Sequence, residues 1–123
     1  MDRKKVSGRR ILVVEDDPTV RDSIALLLRI DRHRVTEAGN GKEALALLSR
    51  QPFDLVVLDF FMPEMLGGEV ALKIKLMAPT LPILMVSAYL EKLTDSDKPV
   101  DAVLGKPFAV EELRSAVGKL LSP

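Results

Sequence analysis

Short apolar runs alternate along the chain with stretches of helical spacing. Ile11-Leu12-Val13-Val14 is rich in β-branched residues and ends in acids, the pattern of a strand covered on both faces. Asp17-Pro18 reads as a helix start, since Asp17 can accept from orphan amides and Pro18 suits the first turn. Val20, Ile24, Leu27 and Leu28 then form one apolar stripe. Arg34 to Glu37 predicts a short strand. Asn40 with Glu43 three positions on resembles a capping box, opening a helix with Ala44, Leu45 and Leu48 inward.

Asp54-Leu55-Val56-Val57-Leu58-Asp59 is the clearest strand, apolar between two acids. Met62-Pro63 interrupts the chain, and Gly67-Gly68 is expected to be a mobile turn before a third helix with Val70, Ile74 and Met77 on one face. Pro82 to Val86 predicts a fourth strand ending at Ser87. Ala102-Val103-Leu104 predicts a fifth, cut short by Gly105-Lys106-Pro107. Val110, Leu113, Val117, Leu120 and Leu121 mark a final helix. Between the last two strands, Thr94-Asp95-Ser96-Asp97-Lys98-Pro99 is turn chemistry, so any fourth helix there is expected to be short or irregular.

Strands alternating with helices imply an α/β domain with a doubly wound, five-stranded parallel sheet, flavodoxin-like in its expected order 2-1-3-4-5, with helices on both faces. In such sheets ligands bind beyond the carboxyl ends of the strands. Composition narrows the chemistry. The 123 residues allow one domain, and 47% hydrophobic content is enough for a core. Eighteen basic and eighteen acidic residues cancel, which argues against direct nucleic-acid or membrane binding through bulk charge. The absence of cysteine excludes disulfides, thiolate metal sites and a cysteine nucleophile. A single histidine, His33, excludes a multi-histidine metal site and argues against a Ser-His-Asp hydrolase. His33 lies among Asp31, Arg32 and Arg34 at an expected helix end and is read as solvated.

Residues 1–9 are read as a flexible basic N-terminal segment and residues 10–123 as the domain. Arg3, Lys4, Lys5, Arg9 and Arg10 precede an apolar run too short for a secretory signal, and no stretch approaches a membrane span. A soluble, cytoplasmic protein is expected.

The strand ends carry the candidate chemistry. The first strand ends in Glu15-Asp16-Asp17, the third in Asp59, the fourth in Ser87, and the fifth runs into Lys106. Singly these residues mean little, because an Asp before Pro is usually a cap and a Lys before Pro is usually on the surface. Together, at four successive strand ends, they can meet on one edge. Clustered carboxylates repel one another, and an all-oxygen donor set suits a hard cation such as Mg2+. Asp16, Asp59, a hydroxyl and an ammonium are the parts needed to handle a phosphoryl group. Asp59 would be the nucleophile, giving an aspartyl-phosphate. Lys106 and the metal would neutralise charge on the transferring oxygens, and Ser87 would donate to one of them.

In this order and spacing, Ile11 to Pro18, Asp59-Phe60-Phe61-Met62-Pro63, Ser87-Ala88 and Lys106-Pro107-Phe108 resemble the receiver domain of two-component response regulators, over nearly the whole chain. The resemblance implies that Asp59 is the phosphoacceptor. It makes Asp16 a direct Mg2+ ligand, Glu15 a ligand through water, and the Phe61 backbone carbonyl a further ligand. Ser87 matches the switch hydroxyl and Lys106 the family lysine, with a cis bond before Pro107 that would aim that lysine inward. The implied partners are a histidine kinase or histidine phosphotransfer protein as donor and a downstream effector domain or protein. The implied role is a regulatory phosphoacceptor, one that is not an enzyme beyond assisting its own phosphorylation and dephosphorylation.

Two other readings compete. One is a pseudo-receiver acting only as a protein-interaction module, against which the full set of acids, hydroxyl and lysine argues. The other is a Mg2+-dependent phosphatase with an aspartyl nucleophile, which usually needs an acid two residues later, where this chain has Phe61. Flavodoxin-like cofactor binding is weaker, because the first loop is acidic and lacks a glycine-rich cradle.

The chain also departs from the family pattern. Val103 occupies the place of the usual aromatic switch residue, and about three positions are missing between Ser87 and Lys106. Phosphorylation is therefore expected to order the segment from Leu90 to Pro99. Phe60, Phe61 and Tyr89 crowd the expected site, and a slowly decaying aspartyl-phosphate is expected. Ala109 stands where a capping side chain is usual.

Overall fold

A computed structural model describes residues 8–88 and 100–122. The order of elements is β1 (Arg10–Val14), α1 (Pro18–Ile30), β2 (Arg34–Ala38), α2 (Gly41–Arg50), β3 (Leu55–Asp59), α3 (Gly67–Met77), β4 (Ile83–Ser87), β5 (Ala102–Gly105) and α4 (Val110–Leu121). The five strands form one parallel sheet in the order β2-β1-β3-β4-β5, as expected. The expectations for residues 90–99 and Tyr89 lie outside the described residues.

Alternation along the central strands builds two cores. Leu12, Val14, Val56, Leu58, Ile83 and Met85 face α2 and α3 and pack with Ala44, Val70, Ala71 and Ile74. Ile11, Val13, Leu55, Val57, Leu84 and Val86 face α1 and α4 and pack with Ile24, Leu28, Leu113, Val117 and Leu121. Strands so covered on both faces have no polar side, which is why β1, β3 and β4 read as continuous apolar runs.

Caps follow the sequence closely. Asp17 accepts from the amides of Thr19 and Val20, with Pro18 in the first turn of α1. Asn40 accepts from the Glu43 amide at 2.8 Å, while the Glu43 carboxylate takes the Gly39 amide, one residue earlier than a capping box requires. Ala109 has no capping side chain, but its amide donates to the Glu112 carboxylate at 2.9 Å, so half of the motif survives.

Three expectations need correction. Gly67 and Gly68 are not a mobile turn: both are buried in the first turn of α3, and Gly67 packs against the end of β3. Met77 is not inward but about half exposed. Seven residues return a helix almost to the same face, so the cause is its place as the last residue of α3, not its angle. His33 is buried rather than solvated, and its Nδ1 accepts from the Arg9 amide at 3.3 Å. The turn after α1 puts it there. The amide of Arg32 returns to the carbonyl of Arg29 and that of His33 to Leu28, a Schellman closure with Arg32 at φ 68°. Burial lowers the His33 pKa, the charge of Arg9 adds to this, and Asp31 opposes it.

Candidate functional site

The carboxyl ends of β1, β3, β4 and β5 lie along one edge of the sheet. Glu15 and Asp59 are almost fully buried there, although both are acids. Such burial requires a partner, and Lys106 is that partner. Its Nζ donates to Glu15 Oε1 at 2.8 Å and to Asp59 Oδ1 at 3.0 Å. The β5 end is tied to β4 as well, since the Lys106 amide donates to the carbonyl of Ser87 at 2.8 Å. Ser87 itself is completely buried. The Lys106–Pro107 bond is cis.

Asp16 completes the acidic group and is more open to solvent than Glu15 or Asp59. Each of the three residues offers a carboxylate oxygen within 4.8 Å of the others. Among the described residues, Lys106 serves two of these three carboxylates, and the electrostatics reflect the crowding. Burial pushes the Asp59 carboxyl above its ordinary value, although the hydrogen bond and charge of Lys106 pull it down. Burial also raises Asp16, with the hydrogen bond and charge of Glu15 adding to the effect. For Lys106, burial works to lower the pKa, but Glu15 and Asp59 outweigh it and the net shift is upward. An all-oxygen, negatively charged cluster that is partly open suits a hard divalent cation better than any soft metal. Among the described residues, no buried side-chain nitrogen or oxygen lacks a hydrogen-bond partner.

Five of the six candidate residues, Glu15, Asp16, Asp59, Ser87 and Lys106, therefore sit at adjoining strand ends. The sixth, Phe61, follows Asp59 by two residues. Its ring is exposed and meets the buried ring of Phe60 edge-to-face, with centroids 4.8 Å apart. Phe60 belongs to the core on the α2 and α3 face. Val103 is exposed on β5.

Two residues that shape the site were given no part in it from the sequence. Arg21, on α1, donates through Nη1 to the backbone carbonyl of Glu15 at 2.9 Å. A bond to a backbone carbonyl leaves no pattern of complementary side chains, so sequence offered no signal. Gly67 donates its amide to the Phe60 carbonyl at 2.7 Å. The signal for it was present in the glycine pair, but it marked close backbone approach, not mobility.

Comparison with known proteins agrees with this geometry. The family model described as the response regulator receiver domain matches residues 11–118. The response regulator MprA of Mycolicibacterium vanbaalenii is 40% identical over 115 residues, covering 91% of this chain and 50% of that protein. The probable transcriptional regulatory protein TcrX of Mycobacterium tuberculosis is 34% identical over 106 residues, covering 84% of this chain and 45% of that protein. The chain thus spans about half the length of these curated relatives. Among solved structures, the response regulator protein TrrA of Thermotoga maritima, in complex with Mg2+-BeF, superposes with a TM-score of 0.86. It shares 35% identity over 91% of this chain and 98% of that one. A CheY-like receiver domain protein of Methanospirillum hungatei superposes with a TM-score of 0.85 at 27% identity, covering 94% of each chain. No helix among the described residues is long and apolar enough to cross a membrane.

Proposed function

We propose, because this chain belongs to the response regulator receiver domain family, that it is a phosphoryl-accepting switch with Asp59 as its acceptor. The observation that carries the proposal is the placement of Lys106 Nζ against Asp59 Oδ1 at 3.0 Å, with the Glu15 carboxylate on its other side. That arrangement gathers a carboxylate suited to be the nucleophile, a cationic donor and an acid pair suited to a cation in one place.

The donor is the phosphohistidine of a histidine kinase or histidine phosphotransfer protein. An Asp59 carboxylate oxygen attacks phosphorus, the bond from phosphorus to the imidazole nitrogen breaks, and that nitrogen keeps the electron pair. The product is an acyl phosphate on Asp59. Glu15, Asp16, Asp59 and the Phe61 carbonyl would hold Mg2+, which supplies charge neutralisation on the phosphoryl oxygens. The Mg2+-BeF bound by the related TrrA supports this assignment. Lys106 is already drawn to Asp59 and would transfer its hydrogen bond to a phosphoryl oxygen as the carboxylate charge is used up. The Ser87 hydroxyl, at the neighbouring strand end, would donate to another.

Phe61 follows the acceptor by two residues with its ring exposed, and would limit access of a hydrolytic water. A slowly decaying phosphoryl group follows from that placement. The role is regulatory: the phosphorylated edge changes the binding of a downstream effector domain or protein. The test is exposure of the purified chain to acetyl phosphate with Mg2+, read by intact mass. Addition of one phosphoryl group to wild type, its loss in Asp59→Asn and its loss with a chelator are the expected results. Phosphorylation persisting in Asp59→Asn would overturn the assignment.

A further inference from the structure

Glu15 is held at four points. Its amide donates to Ala38 O at 3.1 Å, closing the ladder to β2. Its carboxylate accepts from Lys106 Nζ at 2.8 Å and from the Asp17 amide at 3.2 Å. The fourth point is its carbonyl, which accepts from Arg21 Nη1 at 2.9 Å. That carbonyl shares a rigid peptide plane with the amide of Asp16, so pinning the oxygen fixes the direction in which Asp16 leaves the strand.

Arg21 is itself fixed. Its Nε lies 3.6 Å from Glu37 Oε1 on β2, and Glu37 also takes Arg29 Nη1 at 3.3 Å. The guanidinium passes Gly39 so closely that a Cβ there would lie 3.1 Å from Arg21 Nη1. The planar fork can serve a carbonyl and a carboxylate together, which a lysine ammonium on a flexible stem does less well.

We infer that Arg21 is a positioning residue that orients the Glu15–Asp16 peptide toward Asp59 and thereby sets the divalent-cation affinity of the acidic site. The inference rests on the reading of that site as a Mg2+ site. Arg21 touches no reacting group: it acts through the backbone, as outer partners of metal ligands commonly do, and removing such partners weakens metal binding about 10–100-fold.

The experiment is titration of Mg2+ into the unphosphorylated chain, followed by calorimetry, for wild type, Arg21→Gln, Arg21→Lys and Gly39→Ala. Arg21→Gln is expected to bind about 10-fold more weakly or worse, with Arg21→Lys in between. Gly39→Ala keeps every charge but crowds the guanidinium, and a smaller loss is expected. At saturating Mg2+ the rate of phosphorylation of Arg21→Gln by acetyl phosphate should return close to wild type. A folded Arg21→Gln protein that binds Mg2+ as tightly as wild type would overturn the role of Arg21 and leave the reading of the site standing. Wild type that binds no Mg2+ would instead overturn the reading of the site, and this inference with it.

Discussion

The amide of Gly67 donates to the carbonyl of Phe60 over 2.7 Å, which presses the first turn of α3 against the strand end that carries Asp59. A Cβ at position 67 would lie 2.5 Å from the Asp59 carbonyl oxygen and 2.6 Å from Phe60 Cα. Both neighbours are backbone and cannot rotate away. Gly67→Ala should therefore destabilise the fold by about 1–3 kcal/mol and slow phosphorylation of Asp59. Gly118, in α4, meets nothing within 4 Å of an added Cβ. Gly118→Ala should stabilise by roughly 0.5–1 kcal/mol through helix propensity. Urea unfolding of both variants checks the pair, and equal effects would refute the contact argument.

Among the described residues, Glu15 and Asp59 share the Lys106 ammonium and Asp16 lies close to both acids, so the uncomplexed cluster is rich in negative charge. Asp59→Asn removes one of those charges and leaves Lys106 paired with Glu15. Without divalent cations it should be more stable than wild type by about 1 kcal/mol. Adding Mg2+ should then raise the melting temperature of wild type more than that of Asp59→Asn, because at a given concentration the tighter-binding folded state is stabilised more. Thermal melts with Mg2+ and with a chelator are the measurement. An Asp59→Asn protein less stable than wild type in chelator would be the contrary outcome.

Much of this site was legible because its residues terminate apolar runs. Asp59 and Ser87 close β3 and β4, and Glu15 follows β1, so strand prediction alone placed them on one edge. Lys106 was legible for the same reason, through the break at Gly105 and Pro107. The hidden parts depend on backbone geometry. The bond of Arg21 to a carbonyl, the approach of Gly67 and the burial of His33 are each set by how two elements pack. In the case of His33, three charged neighbours in sequence, Asp31, Arg32 and Arg34, suggested solvent. The Schellman closure, made with an arginine where glycine is usual, turned the ring inward.

That arginine leads to a third prediction. Arg32 has φ 68°, a region that L-residues with side chains occupy at a cost of about 1–2 kcal/mol. Its side chain is exposed, so little packing is lost when it is removed. Glycine adopts the same backbone without the clash but brings more freedom to the unfolded chain. Arg32→Gly should stabilise the fold by a net of roughly 0.5–1 kcal/mol. Arg32→Ala, which keeps the clash, should not. Chemical denaturation of the two variants side by side separates backbone strain from loss of charge.

His33 makes stability depend on pH, with a sign fixed by its hydrogen bond. Nδ1 accepts from the Arg9 amide, so the ring is neutral at that nitrogen, and protonation there would place two donors face to face. Burial, reinforced by the charge of Arg9, holds the folded-state pKa below the ordinary 6.5. Well above 6.5 the histidine is neutral in both states and has no effect. As the pH falls through 6.5 the unfolded chain takes up the proton first, so stability declines. The decline ends once the pH has passed the lower folded-state pKa. His33→Asn retains an acceptor but cannot titrate in this range, and should flatten the part of the stability profile below pH 7 that His33 contributes. Urea midpoints measured from pH 7 downward, for wild type and His33→Asn, decide the matter: parallel profiles would mean that the ring has the same pKa in the folded and unfolded states.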